Sequence, residues 1–143
     1  MIERLLICNK GGAVLYSRDF GNVPEIESDL LGGLISVIDN MGHNLFKKKI
    51  ATINFGEESP SVMGEAMAKI VFITKDMLSE GLNFYFIFFC RGEHSLQLLR
   101  QISTSIFIEC KNTLRVPNPD LYQLETQVTK ILQKFPTEFK GVA

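Results

Sequence analysis

The feature that most constrains the fold is an unbroken apolar run, FYFIFF, at residues 84–89. A strand with one face in water alternates apolar and polar side chains, but this run offers no polar position to either face. Gly81 and Asn83 precede the run, and Arg91 and Gly92 follow it. The run therefore predicts a strand covered on both faces, which requires a sheet lying between helices.

The periodicity of the remaining sequence predicts the other elements. Two short apolar segments joined by NKGG at residues 9–12 indicate a β-hairpin, because Asn and Gly tolerate the positive φ of a tight turn. Helical spacing follows at residues 24–46, β character at 47–55 and 67–74, and helical spacing again at 94–114 and 118–135. We therefore predict an α+β fold, a three-layer α/β/α sandwich with a five-stranded antiparallel sheet in the order β-β-α-β-β-β-α-α. Without internal repeats or linkers, residues 1–143 are predicted to form a single domain.

Composition excludes several classes of function. The chain has 15 Lys and Arg against 16 Asp and Glu, so its net charge creates no positive electrostatic field that would attract nucleic acid. No apolar run reaches the roughly 18 residues of a spanning helix, and the start MIER lacks the basic region of a signal peptide. We therefore expect a cytoplasmic protein without direct membrane insertion, peripheral to membranes only through a partner.

The sequence contains no recognisable catalytic or metal-binding constellation. It lacks the G-x-S-x-G, H-E-x-x-H and dinucleotide-binding motifs. Cys8, Cys90 and Cys110 are widely spaced and form no C-x-x-C pair, which predicts free buried thiols in a reducing compartment. A nucleophilic pair of His94 with Cys90 is disfavoured because Cys90 continues the buried aromatic strand. We predict no catalytic residue, no cofactor and no metal site.

The first predicted helix has an apolar arc about 160° wide, at about 100° per residue. The opposite face carries Gly32, Gly33, Ser36 and Asn40 and lacks Lys, Arg and Glu over its central part. Two glycines within a helix cost about 1 kcal/mol each relative to alanine, so something is expected to approach that backbone closely. Two interpretations stay open: approach to the protein's own sheet or a neighbouring loop, or a flat contact patch for a partner.

A run of three lysines, at residues 47–49, begins the strand that is predicted to end at Phe55. Lysines of this kind protect a sheet edge from adventitious pairing, and they are also able to dock an acidic partner. We predict that Lys49, Ala51 and Ile53 join the glycine-bearing helix face in a partner-binding surface. Backbone pairing at such an edge would extend the sheet across a dimer.

The order of elements, together with the opening hairpin LLICNKGGAVLYS at residues 5–17, resembles the longin domain family. The resemblance extends to about residue 135. The related roadblock domain looks like a helix-first arrangement with a single final helix, so longin fits better. The resemblance implies a role in membrane trafficking, as a platform for small GTPases or as a subunit of a tethering or adaptor complex. We therefore predict a non-enzymatic interaction module that pairs with itself, with a small GTPase or with a complex partner. Because no coiled coil or membrane anchor follows the domain, we expect a scaffold or complex subunit rather than a fusogenic SNARE.

The alternative is a small-molecule-sensing regulatory domain of profilin-like or PAS-like architecture. Such a domain needs a pocket between sheet and helix with polar groups pointing into it. The sequence offers few candidates for that role: Thr52, Thr74 and Ser103.

Overall fold

The computed structural model describes residues 2–21, 25–56, 68–92 and 94–139. The strands are β1 (Ile2–Asn9), β2 (Val14–Asp19), β3 (Thr52–Phe55), β4 (Ala68–Met77) and β5 (Leu82–Arg91). The helices are α1 (Ser28–Phe46), α2 (Leu96–Leu114) and α3 (Leu121–Leu132). The strands form one antiparallel sheet in the order β2-β1-β5-β4-β3, with α1 on one face and α2 and α3 on the other. The predicted α+β sandwich is confirmed.

The aromatic run lies in β5, the central strand of the sheet. Alternate side chains, including Phe86 and Phe88, pack into the cluster that α2 and α3 cover. The intervening Tyr85 and Ile87 pack into the smaller cluster beneath α1. Both faces of the strand are covered, which explains why its sequence needs no polar alternation.

The predicted hairpin joins β1 to β2. The Gly12 amide donates to the Asn9 carbonyl over 3.0 Å, and the Asn9 side chain accepts from the Ala13 amide, also over 3.0 Å. Gly12 has a φ of 87°, which only glycine adopts without steric cost. The turn therefore places the backbone of Gly12 against α1.

Several boundaries differ from the predicted ones. The predicted start of the first helix, at residue 24, lies outside the described residues, and α1 begins at Ser28. The strand predicted over residues 47–55 spans only Thr52–Phe55. Lys47 adopts the left-handed conformation that ends α1, and residues 48–51 connect the helix to the strand. The cap of α3 is Asp120, whose side chain accepts from the amides of Tyr122 and Gln123.

The hairpin turn and α1 meet backbone to backbone at Gly12 and Gly32. A Cβ on Gly32 would overlap the Gly12 carbonyl oxygen and lie 3.1 Å from Cγ2 of Val14. A Cβ on Gly33 would have no atom within 4 Å. Close approach to the protein's own hairpin therefore explains Gly32, but it does not explain Gly33.

Candidate functional site

The outward side of α1 carries a row of large apolar side chains, called the outer stripe below. Its members recur every three or four residues, and each exposes more than half of its surface: Leu30, Leu34, Val37, Met41 and Leu45. This spacing places them on one side of the helix, along about 22 Å of its length. No described element of the chain covers the outer stripe.

Only two large apolar side chains of α1 are fully buried on the sheet, Leu31 at 6% exposure and Ile35 at 4%. One part of the apolar arc of the helix therefore packs on the sheet, and the other part forms the exposed outer stripe. Sequence reasoning placed the candidate contact surface on the opposite face and missed the stripe. The available signal was the width of the arc, because a core-facing helix needs only about 100° of apolar surface.

A groove of about 510 Å³ continues the outer stripe towards β3, and it is called the lysine groove below. It lies between the C-terminal half of α1 and the segment that leads into β3. Apolar side chains form most of its lining, namely Ile38, Met41, Leu45, Phe46 and Ile50. Lys48 and Lys49 flank it, so an apolar floor is combined with positive charge at the rim.

The strand next to this groove, β3, is an edge of the sheet. It pairs with β4 on one side, and no described strand pairs with its other side. Phe55, near the end of β3, exposes 54% of its surface. The open edge, the lysine groove and the outer stripe form a continuous region of the molecule.

The structure separates the predicted partner residues of the first helix into two groups. Gly32 is buried against the hairpin, and Ser36 is half-buried with its Cβ facing Gly12. Gly33 and Asn40 are exposed and border the outer stripe. Gly32 is therefore unavailable at the surface of this chain.

The predicted residues near β3 come together more closely. Lys49 and Ala51 both line the lysine groove. Ile53 is half-buried and packs against the cluster beneath α1. The structure thus brings two of the three predicted residues into one groove, whose apolar lining the sequence analysis did not single out.

Charge is segregated along α1. Three exposed acidic residues, Glu25, Glu27 and Asp29, lie at its N-terminal end, and the exposed lysines at 47–49 follow its C-terminal end. Between them α1 contains no Lys or Arg. This polarity is favourable to the helix dipole, and it leaves the two ends of the outer stripe with opposite charge.

Beneath α1, Asp39 faces Tyr85 of β5. Burial, and secondly the hydrogen bond with Asp39, raises the pKa of Tyr85. One oxygen of Asp39, Oδ1, is buried without a hydrogen-bond partner. The side of α1 that faces the sheet therefore makes polar as well as apolar contacts with it.

Ionisable groups on the other parts of the sheet are engaged with one another. The Tyr16 hydroxyl donates to Glu125 over 2.5 Å, and Arg18 contacts the same carboxylate at 3.0 Å. Arg4 is only 7% exposed and pairs with Asp19 at 2.6 Å, in the lining of a groove of about 540 Å³ near the start of α1. In both ion pairs the arginine is mostly buried and its acidic partner is about half exposed, so these charged groups are paired within the chain.

The thiols are placed as the sequence predicts. Cys8, Cys90 and Cys110 are free and buried. Burial raises the pKa of Cys8 and Cys110 to about 12 and that of Cys90 to about 11. A thiol with so high a pKa is protonated at neutral pH and is a poor nucleophile. His94 is also largely buried and lies 3.9 Å from Glu138.

The polar groups that would serve a small-molecule sensor are only partly brought together. Thr52 and Thr74 share a groove of about 290 Å³ that Arg100 also lines. The third, Ser103, is fully buried within α2 and donates to the Leu99 carbonyl over 2.7 Å. Within the described residues, no cluster of three or more His, Cys, Asp or Glu is arranged to hold a metal ion.

Comparison with protein-family models finds no match to this chain, and no curated protein matches its sequence. None of the helices in the described ranges combines the length and the apolarity that crossing a membrane requires. The fold and the site together define a class of molecule. It is an α+β sandwich that presents an uncovered apolar helix face beside an open sheet edge.

Proposed function

We propose that this chain is a non-enzymatic protein–protein interaction module that binds through the outer stripe and the lysine groove. The observation that carries the proposal is the row of five large apolar side chains exposed along one side of α1. Single exposed apolar residues are ordinary, but a contiguous row of them marks an interaction surface. An apolar helix face beside a groove is also a common shape for protein recognition.

The proposed partner is a small GTPase or a subunit of a trafficking complex, for which the chain serves as a scaffold. The order of elements, β-β-α-β-β-β-α-α, supports this proposal because the resemblance to longin domains rests on the same order. The free thiols support a reducing compartment, and we propose the cytoplasm. Fold-level likeness indicates only the class of partner, and a binding assay identifies the partner itself.

The test is a binding assay with the purified chain. It is presented to a panel of small GTPases loaded with GDP or with a non-hydrolysable GTP analogue, and its own mass is measured across a concentration series. We expect either self-association or binding to a GTPase, and loss of that binding in the variant Leu34→Glu. A matched control is Ile108→Glu, since Ile108 on α2 is 64% exposed and α2 lies on the other face of the sheet from α1.

A chain that is monomeric at every concentration and ignores every loaded GTPase would contradict the proposal. Thermal-shift screening of the same protein against metabolites then addresses the alternative. Stabilisation by a metabolite, lost in Thr74→Val, would favour a sensor that uses the groove of Thr52 and Thr74.

A further inference from the structure

We propose that the partner of the outer stripe is a second copy of this chain, with the two α1 helices packed antiparallel about a two-fold axis near Val37. The inference rests on the proposed function, because it names the occupant of the same surface. In such a symmetric interface each patch must complement itself. Both the apolar row and the charges of α1 meet that requirement.

The outer stripe is nearly palindromic about its centre. An antiparallel pair centred between Val37 and Ile38 sets Leu30 opposite the partner's Leu45. The same register sets Leu34 opposite the partner's Met41, and the Val37 side chains meet at the axis. Every exposed member of the stripe therefore faces another apolar side chain, which is the pattern that helix pairing requires.

The charges of α1 select the antiparallel orientation. In the same register Glu27 lies opposite the partner's Lys48, and the two-fold axis repeats this pair at the other end. A parallel arrangement would instead bring acidic ends together and lysine runs together, which is repulsive. A partner with uniform charge would complement only one end of the stripe.

The two ends of the stripe also complement each other in shape. Ile26, just before α1, is 44% exposed. The antiparallel register brings Ile26 towards the mouth of the partner's lysine groove, whose lining is largely apolar. An exposed apolar residue at one end thus meets an apolar cavity at the other, and the symmetry forms this contact twice.

The first experiment measures mass by light scattering across a concentration series of the full chain. We expect a species of twice the 16.1 kDa chain mass. Leu34→Glu places a carboxylate in the paired row and is expected to weaken dimerisation by about a hundredfold or more. Ile108→Glu is the matched control and should leave the dimer intact. Because Leu34 is exposed in the single chain, circular dichroism of Leu34→Glu should show an unchanged fold.

The second experiment tests the register through charge. Glu27→Lys and Lys48→Glu each set like charges opposite one another twice per dimer, and each is expected to raise the dissociation constant by about tenfold. The double variant should recover the original constant. An equimolar mixture of the two single variants should also recover it, since both pairs in the mixed dimer are again of opposite sign.

A third experiment tests the position of the two-fold axis. Val37→Cys is expected to form a disulfide between two copies under mild oxidation, whereas Ile108→Cys is not. The native thiols are buried and do not compete.

The outcomes separate this inference from the proposed function. A dimer unaffected by Leu34→Glu, or a mixture of charge variants that stays weak, overturns the antiparallel α1 interface. A monomer that binds a GTPase through Leu34 overturns the second copy as occupant and leaves the proposed function standing. A monomer that binds no GTPase removes both.

Discussion

The contact between the hairpin and α1 predicts opposite effects for two neighbouring glycines. Gly32 faces the backbone of Gly12, whereas Gly33 faces open space. Both lie inside α1, so replacement by alanine improves helix propensity by about 1 kcal/mol at either position. Only at Gly32 does the new methyl group meet a carbonyl oxygen that belongs to another element.

The magnitude follows from the packing that the clash disturbs. A carbon–oxygen contact normally needs about 3.3 Å, so α1 must move away from the hairpin by roughly 1 Å. A gap of that size forfeits about a quarter to a half of the contact energy. Leu31 and Ile35 contribute about 1.5–3 kcal/mol each when buried, so their combined loss is about 1–3 kcal/mol. With strain at the turn added and the propensity gain subtracted, Gly32→Ala should destabilise the fold by about 1–2 kcal/mol.

Urea denaturation at one protein concentration measures both variants against the original chain. Gly33→Ala should raise the free energy of unfolding by up to about 1 kcal/mol, so the two variants should differ by about 2–3 kcal/mol. Equal effects of Gly32→Ala and Gly33→Ala would refute the close approach of α1 to the hairpin as the reason for the glycine.

Three further predictions concern the core, a helix cap and the thiols. Phe86→Ala empties a fully buried position on the central strand and should cost about 3–5 kcal/mol in the free energy of unfolding, measured in urea; a loss below 1 kcal/mol would argue against a central β5. Asp120→Ala removes the acceptor for two amides at the start of α3 and should lower the stability by about 1 kcal/mol, with Asp120→Asn as a near-neutral control in the same thermal melts. Burial raises the pKa of Cys8, Cys90 and Cys110 from 9.0 to between about 11 and about 12, so the folded chain keeps protons that the unfolded chain releases. The contribution of thiol burial to stability should therefore be complete below pH 9 and be lost as the pH rises towards 12. Melting temperatures measured across that pH range would check this, and a melting temperature that does not fall would contradict thiol burial.

The sheet could be predicted from sequence because its central strand satisfies one strong rule. A run such as FYFIFF is stable only where both faces are covered, and that condition places helices above and below it. The hairpin was equally predictable, because Asn9 and Gly12 supply the turn chemistry locally. Local rules of this kind need no knowledge of the rest of the fold.

The outer stripe could not be predicted in the same way. Leu30 and Leu31 are both apolar, and helical spacing alone does not show which of them the sheet covers. That choice depends on which side of α1 faces the sheet, and the close approach of Gly32 to Gly12 is a tertiary contact that helical spacing does not encode. The glycines were therefore recognised as special, while the exposed row of apolar side chains on the other side of α1 was not singled out.

The buried thiols are divided between the two apolar clusters, one on each face of the sheet. Cys8 lies in the cluster beneath α1, whereas Cys90 and Cys110 lie in the cluster beneath α2 and α3. A buried thiol reacts with a labelling reagent only when the structure around it opens, so the rate of labelling reports local opening. Each face of the sheet thus carries its own built-in chemical reporter. The order in which the three cysteines become labelled would show which helix layer leaves the sheet first.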